Sequence, residues 1–276
     1  MSSPPPIDPA AFHHFEHAGW QRASAYYADT FGALTVQATE PLLDTVAVAP
    51  GTRLLDVASG PGYVAAAAAA RGAEVIGLDF SASMLKEARR RYPDVVFQEG
   101  DAEALPFDDS RFEAVVMNFG LLHLAQPDAA IHEAWRVLES GGRYAFTVWA
   151  RPEEAVGFGV VLRAMSTYGT ANVGLPDGPP FFRFSADDEC RRALSSAGFA
   201  AIDVRTLPLV WQLPSADALF EAALHGGVRT SAALQAQTPE GLAAIRGAVL
   251  TELQLFATAD GIAVPMPVVL ASATKP

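Results

Sequence analysis

The sequence predicts an α/β fold built on a doubly wound, mostly parallel sheet. Between residues 50 and 150, short apolar runs typical of buried strands alternate with segments of helical spacing. The strand runs are almost continuously apolar, as expected for a parallel sheet covered by helices on both faces. Right-handed crossovers between such strands build an open sheet, and ligands of open sheets bind at the carboxyl ends of the strands.

Two helices precede this alternation, from Pro9 to about Ala28 and from about Ala38 to Val48. The alternation then contains five strands, with helices after the first, second and fourth. We expect the strands at 52–58, 73–80, 94–101, 112–120 and 143–150, and the helices at 62–72, which Gly72 closes, 82–92, which Ser81 caps, and 126–139.

After Ala150 the alternation is interrupted by a Gly/Pro-rich segment. A helix at 185–198 and a strand at 199–213 resume it, and helices within 215–259 lead to a last strand at 261–276, where Pro265 and Pro267 indicate an edge or a bend. We expect a single domain with four parts: a helical cover at 1–49, a cofactor-binding core at 50–150, and substrate-lid insertions at 151–184 and 214–261.

Composition restricts the partners. The 276 residues are half apolar, and 19 basic against 31 acidic residues give a formal charge of −12, which repels nucleic acid and anionic membranes. Neither a signal peptide nor an apolar run of about 20 residues is apparent. The single Cys190 excludes an internal disulfide, and metal-ligand spacing is absent. We expect a cytoplasmic protein that acts on a small molecule without a metal.

The stretch "DVASGPG" raises the question of which ligand the first turn holds. Gly60, Gly62 and Ala65 match the spacing of a dinucleotide-binding turn. Asp56, at the end of the preceding strand, argues against a pyrophosphate, because two like charges about 4 Å apart repel by several kcal/mol in an intermediate dielectric. S-adenosylmethionine, which carries an ammonium, a sulfonium and no phosphate, suits this carboxylate better.

Two further acidic residues follow at successive strand ends. Asp79 can accept hydrogen bonds from ribose hydroxyls, an interaction that dinucleotide sites also use. Asp101 can accept from an adenine amino group, while the Ala102 N–H can donate to the ring. Three carboxylates at three neighbouring strand ends form a more specific signal for a cationic nucleoside than the glycines do.

Five segments within residues 50–150 carry a family resemblance, in this order: "LLDVASGPG", "VIGLDFSASML", "VVFQEGDAEALPF", "FEAVVMNFGLLHL" and "EAWRVLESGGRYAFTVW". The chain resembles the class I S-adenosylmethionine-dependent methyltransferases, in particular the ubiquinone/menaquinone-biosynthesis-type (methyltransferase type 11) group, which usually has glycine in place of Ala58. The resemblance implies a Rossmann-like, mostly parallel seven-stranded sheet with an antiparallel last strand and helical lid insertions.

The resemblance also implies roles for individual residues around S-adenosylmethionine. Tyr27, preferred to Tyr26, would contact the methionine end. The other cofactor-binding residues would be Asp56, Ala58, Gly60 and Gly62 at the methionine and ribose, Asp79, Phe80 and Met84 at the ribose and adenine, Asp101, Ala102 and Glu103 at the adenine edge, and Asn118 and Phe119 near the ammonium and methyl groups.

Methyl transfer by in-line displacement needs alignment, and a general base helps when the acceptor is a hydroxyl or an acidic carbon. His123 is the first candidate for that base, with Tyr26 as a second catalytic candidate. The lid insertions predict an apolar, aromatic pocket for a small hydrophobic or aromatic acceptor, with Arg229 as a hint of an anionic group on it. The residues expected there are Trp149, Phe158, Met165, Tyr168, Phe181, Phe182, Trp211, His225 and Arg229.

Two other functions stay open at this point. An NAD(P)-linked oxidoreductase could use the same fold, although Asp56 opposes it and a Tyr-x-x-x-Lys pair is missing. A protein that binds S-adenosylmethionine without methylating, for example to close a ring, is the other alternative. The acceptor, its reacting atom and the oligomeric state, including a homodimer, are also open.

Overall fold

The computed structural model describes residues 8–170 and 172–276. Residues 1–7 of the predicted cover and residue 171 of the first predicted insertion lie outside this description. The strands of the described chain are β1 (Arg53–Val57), β2 (Glu74–Asp79), β3 (Val96–Glu99), β4 (Phe112–Asn118), β5 (Leu138–Trp149), β6 (Ala200–Leu207), β7 (Val210–Leu213), β8 (Ala257–Thr258), β9 (Gly261–Pro265) and β10 (Val268–Thr274).

Seven of these strands form one sheet in the order β3-β2-β1-β4-β5-β10-β6. Neighbours from β3 to β5 are parallel, whereas β10 pairs antiparallel with both β5 and β6. The order reverses at β1, where one crossover leads outward to β2 and a later one leads to β4. The predicted mostly parallel seven-stranded sheet with an antiparallel last strand is confirmed.

Helices cover the sheet and its carboxyl edge. Their bounds are α1 (Pro9–Tyr27), α2 (Ala33–Thr35), α3 (Thr39–Thr45), α4 (Tyr63–Ala70), α5 (Ala82–Arg91), α6 (Pro127–Val137), α7 (Val156–Tyr168), α8 (Asp187–Ser196), α9 (Ala216–His225), α10 (Arg229–Gln235) and α11 (Pro239–Leu253). The predicted caps are confirmed: the Met84 N–H donates to Ser81 Oγ, and Gly72, at φ 85°, follows the end of α4.

Successive side chains of the strands point to opposite faces of the sheet, and each face has its own hydrophobic core. Leu54 packs with residues of α3, α4 and α5, whereas the next residue, Leu55, packs with residues of α6 and α8 on the other face. Ala65 and Ala68 in the alanine run are fully buried, so α4 lies close to the sheet. The match of Ala65 to a dinucleotide fingerprint therefore reflects packing.

Two predicted strands are wrong in extent, and proline explains both. The strand expected at 199–213 divides at Pro208 into β6 and β7, and the last strand divides at Pro267 into β9 and β10. β7, β9 and β8 form a small antiparallel sheet of their own, which the prediction of helices within 215–259 and a single last strand missed. Helix α7 lies within the first insertion, in agreement with the expected helical insertions.

The N-terminal helix and the second insertion meet above the carboxyl edge of the sheet. α1 packs against α5 and α9, and α11 packs against α7 and α9. Within the described residues, the helices are too short or too polar to cross a lipid bilayer. These helices cover the carboxyl ends of the central strands.

Replacing Gly62 with alanine should destabilise the fold for two separable reasons. Gly62 has φ 86°, and a Cβ there would lie 2.6 Å from the Phe97 ring, whereas Gly51 has φ 84° and no atom within 4 Å of such a Cβ. We expect Gly62→Ala to lower the free energy of unfolding by about 2–4 kcal/mol and Gly51→Ala by about 1–2 kcal/mol. Urea unfolding measures both, and equal losses would contradict the steric part.

Candidate functional site

A cavity with an empty volume of about 820 Å³ lies at the carboxyl ends of β1, β2 and β4, below α1. A second cavity of about 550 Å³ adjoins it on the side of the insertions. Both share a wall made of Trp20, Tyr27, Thr35, Phe119 and His123. The inner cavity is lined by most of the predicted cofactor residues, namely Tyr27, Asp56, Ala58, Gly60, Asp79, Phe80, Met84, Asp101, Ala102, Asn118 and Phe119.

Asp56 is a buried carboxyl group with one oxygen left unpaired. The Ala65 N–H donates to Asp56 Oδ2 at 2.9 Å, whereas Asp56 Oδ1 has no hydrogen-bond partner among the described residues. Burial raises the pKa of Asp56 to about 8, against the lowering effect of the Ala65 hydrogen bond and with a smaller contribution from Asp79. A cation placed in the inner cavity would supply the missing partner.

Asp79 holds the turn that follows β1. Its Oδ2 accepts from the Gly60 N–H and its Oδ1 from the Ser81 N–H, both at 2.8 Å. Burial raises the pKa of Asp79 to about 6, although the two amide hydrogen bonds favour the charged form. Each carboxylate oxygen has a second lone pair available for a ligand hydroxyl. A Cβ at Gly60 would meet nothing within 4 Å, so the cavity is open at this point.

Helix α1 contributes histidines to the far end of the inner cavity. His13 Nε2 lies 3.2 Å from Asp101 Oδ2, and the Glu103 N–H donates to Asp101 Oδ1. The rings of His13 and His17 pack edge-on against Phe80, at centroid distances of 5.7 and 5.3 Å. His13 therefore contacts both Asp101 and Phe80, and His17 contacts Phe80, two residues that the sequence predicted beside the adenine.

The wall between the cavities is built from hydrogen-bonded polar groups and aromatic rings. Asn118 donates from Nδ2 to the Thr35 carbonyl at 3.2 Å and accepts from Thr147 Oγ1 at 2.5 Å. The Tyr27 hydroxyl lies 3.0 Å from Thr35 Oγ1, and burial raises the pKa of Tyr27 to about 12. Tyr27 therefore stays protonated near neutral pH and can donate a hydrogen bond.

A buried ion network, which the sequence reasoning missed, reaches His123 in this wall. Glu16 of α1 is fully buried, and its Oε2 lies 3.0 Å from His123 Nδ1. Its other oxygen accepts from Arg229 Nε at 2.9 Å. A signal for Glu16 exists in the sequence, because it occupies the buried face of α1 together with Phe12 and Ala23. A lone carboxylate on an apolar helix face needs a buried partner.

Arg229 makes several contacts inside the protein. Besides Glu16, it donates to the carbonyl oxygens of Pro179 at 2.7 Å and Leu122 at 2.8 Å, and it lies over the Phe12 ring. The expectation that Arg229 meets an anionic group on the acceptor stays a prediction, because each terminal nitrogen of the guanidinium carries a second N–H beside the one directed at an internal partner.

Some predicted residues lie outside the inner cavity. Gly62 ends the turn before α4 in a left-handed backbone conformation. Glu103 accepts from the Gln126 N–H at 2.8 Å next to α6. Tyr26 is 51% exposed and stacks on His225, so the structure separates this catalytic candidate from the site. Of the expected pocket residues, Trp149, Phe158, Phe181 and Arg229 line the second cavity.

The other expected pocket residues lie elsewhere. Met165 and Phe182 line a neighbouring surface groove, Trp211 is buried beside Phe31, and Tyr168 is exposed. No group of three or more His, Cys, Asp or Glu residues suited to a metal ion occurs within residues 8–170 and 172–276.

Comparison with known proteins identifies relatives of this architecture. A family model described as a methyltransferase domain matches residues 55–146. A demethylmenaquinone methyltransferase from Renibacterium salmoninarum is 43% identical over 111 residues, which cover 40% of this chain and 47% of that protein. One from Clavibacter sepedonicus is 36% identical over 184 residues, covering 59% and 72%. The chain thus spans about half the length of the Renibacterium relative.

Solved structures share the fold at low sequence identity. A Haemonchus contortus phosphoethanolamine N-methyltransferase in complex with S-adenosyl-L-methionine superposes with a TM-score of 0.59 at 19% identity, covering 96% of this chain and 60% of that chain. The [4+2]-cyclase SpnF superposes with a TM-score of 0.55, also at 19% identity, covering 100% and 99%. The fold therefore occurs with more than one kind of reaction.

The Asp56→Asn substitution should stabilise the ligand-free protein at alkaline pH. Because the pKa of Asp56 is raised to about 8 in the folded state, the folded state binds more protons than the unfolded state above about pH 4. Stability is therefore lost as pH rises toward 8. Between pH 5 and 9, we expect the free energy of unfolding to fall by on the order of 2–4 kcal/mol more in the wild type than in Asp56→Asn.

Thermal unfolding at pH 5 and pH 9 measures this difference. The exposed Asp260→Asn carries the same change in charge and should leave the pH dependence of the wild type unchanged. Parallel pH profiles for Asp56→Asn and wild type would show that Asp56 does not titrate in this range.

Proposed function

The chain belongs to the methyltransferase family whose domain model matches residues 55–146, and from this premise we propose that it transfers a methyl group from S-adenosylmethionine to a small aromatic or hydrophobic acceptor. The observation that carries the proposal is the buried Asp56, which lines the inner cavity and whose Oδ1 has no partner among the described residues, so that a cationic ligand would stabilise its charged form. A pyrophosphate beside this group would add a second negative charge to a site that already disfavours one.

The residues of the inner cavity fit S-adenosylmethionine. Asp56 would meet its positively charged methionine end, and Asp79 would accept from the ribose hydroxyls. Asp101 and the Ala102 N–H would recognise the adenine edge, with Phe80 and Met84 beside the ring. When bound, S-adenosylmethionine supplies an electrophilic methyl group on a sulfonium. The protein has to align the acceptor with that methyl group and exclude water.

The second cavity supports an uncharged, flat acceptor. Aromatic side chains dominate its wall, and Arg229, the charged residue among those that line it, is held by internal partners. The matched relatives are named for demethylmenaquinone, and a quinone-type ring carrying hydroxyl groups would suit this cavity. We propose a ring of this class as the acceptor.

Partners and location remain part of the proposal. The net charge of −12 supports a small-molecule substrate over nucleic acid or an anionic membrane, and we propose that the protein works in the cytoplasm. A homodimer stays a prediction. The specific observation that favours a second function is the full-length superposition on the cyclase SpnF, which leaves a non-methylating use of the cofactor as the alternative.

Binding and turnover together test the proposal. Calorimetry should detect S-adenosylmethionine and S-adenosylhomocysteine at micromolar concentrations and no NADH binding. S-adenosylhomocysteine should accumulate when hydroxylated quinols or phenols are supplied. Tight NADH binding without affinity for S-adenosylmethionine would support an oxidoreductase. Binding without S-adenosylhomocysteine from any acceptor would support the non-methylating alternative.

Asp79→Asn should weaken S-adenosylhomocysteine binding by about 1.5–3 kcal/mol, because charged hydrogen bonds to the ribose are lost while one acceptor oxygen remains for the turn. Asp94→Asn, an exposed position on the segment before β3, makes the same change in charge and should bind as the wild type does. Unchanged affinity of a folded Asp79→Asn protein in calorimetry would remove Asp79 from the cofactor site.

A further inference from the structure

We propose that Glu16 is a positioning residue that holds His123 as a proton acceptor, with Arg229 keeping Glu16 ionised. This inference rests on the proposed function and deepens it. It assigns the acceptor to the class of groups that must lose a proton during methylation, namely hydroxyls and acidic carbons. The three residues come from helix α1, the turn after β4 and helix α10, so the network forms only when the cover and the second insertion are in place.

The contacts of Glu16 support a fixed carboxylate. Its side chain is completely buried, yet both oxygens have partners, with His123 Nδ1 at 3.0 Å and Arg229 Nε at 2.9 Å. A buried carboxylate without a cation is strongly disfavoured, so Arg229 is the group that makes an ionised Glu16 tolerable. Three further internal contacts of Arg229, to Pro179, Leu122 and the Phe12 ring, fix the guanidinium itself.

An ionised Glu16 determines which nitrogen of His123 carries the proton. A carboxylate only accepts hydrogen bonds, so Nδ1 must be the donor and neutral His123 has its lone pair on Nε2. The His123 ring packs edge-on against the rings of Trp20 and Phe181, at centroid distances of 4.8 and 5.9 Å, and these contacts hold its plane. His123 lines both cavities, which places it between the proposed cofactor and acceptor sites.

The other ionisable groups near His123 do not compete for this role. Tyr27 shares the wall, but burial keeps its hydroxyl protonated by raising its pKa to about 12. Asp56, Asp79 and Asp101 line the inner cavity at the strand ends and on the far side, where they face the proposed cofactor. Glu16 from α1 contacts His123 directly, and Arg229 from α10 contacts Glu16.

With a hydroxyl acceptor, the hydroxyl proton would move to His123 Nε2, and an oxygen lone pair would form the bond to the methyl carbon. The bond between that carbon and sulfur breaks and leaves its electron pair on sulfur, which gives neutral S-adenosylhomocysteine. Glu16 stabilises the imidazolium that results, and the imidazolium returns its proton to water when the product leaves.

Glu16→Gln tests the positioning role, because it keeps the shape and removes the charge. We expect kcat for S-adenosylhomocysteine formation to fall about 10- to 1000-fold, with the dissociation constant of S-adenosylmethionine changed by less than about threefold. The acid limb of the pH–kcat profile should move to lower pH, because the imidazolium loses its counter-charge. Glu16→Asp, which keeps the charge, should recover part of the lost rate.

A histidine–glutamate pair on the protein surface provides a matched control. His225 Nε2 lies 3.6 Å from Glu221 Oε2 on the exposed face of α9, so Glu221→Gln removes a carboxylate from a histidine without reaching the cavities. Its kcat and pH profile should equal those of the wild type. A Glu16→Gln protein that is less stable but keeps the wild-type kcat and pH profile would make Glu16 purely structural.

A measurement without turnover separates this proposal from the proposed function. In ¹⁵N-histidine NMR of the wild type, the signal that disappears in His123→Asn should report protonated Nδ1 and unprotonated Nε2 at neutral pH. A proton on Nε2 instead would overturn the proposal even if Glu16→Gln fails to fold. The expected tautomer without methylation of any acceptor would count against the proposed function alone.

Discussion

The site depends on one buried carboxyl group, of which one oxygen accepts a hydrogen bond and the other has no partner within the described chain. This group, Asp56, stands at the end of β1, the strand where the sheet order reverses. A protein selected only for stability would place a neutral side chain there. An ionisable carboxyl group has a physical reason here if a cationic ligand occupies the cavity and stabilises its charged form, and the turn that Asp79 holds shapes the space for that ligand.

The second constraint comes from helix α1 and the second insertion, which cover the site. Glu16 and Arg229 are separated by most of the chain, yet their ion pair joins the N-terminal helix to the second insertion and contacts His123 in the wall between the cavities. A buried ion pair is weak evidence for stability, because desolvation offsets much of its attraction. In this arrangement of the cover, the insertion and the candidate base, both oxygens of the buried Glu16 have partners.

Sequence reasoning succeeded where the signal was local. The strand ends that carry Asp56, Asp79 and Asp101 follow from apolar periodicity, and the antiparallel last strand and most of the inner cavity followed from the family resemblance. It failed where the outcome depends on partners that are distant in sequence. Glu16 looked like an ordinary helix residue until His123 and Arg229 were beside it, and Pro208 divided a strand because its second half pairs with β9 in another sheet.

The reaction is constrained by the pairing of groups more than by the fold, since a cyclase and a methyltransferase both superpose on this chain. Arg229 shows how partners change an interpretation. As an isolated cation near an aromatic pocket it indicates an anionic acceptor, and its bonds to Glu16 and two carbonyls add a role inside the protein. The second cavity is left with aromatic walls and a histidine whose orientation a carboxylate controls. For such a site we propose a neutral ring whose proton can be removed, rather than an amine or a carboxylate.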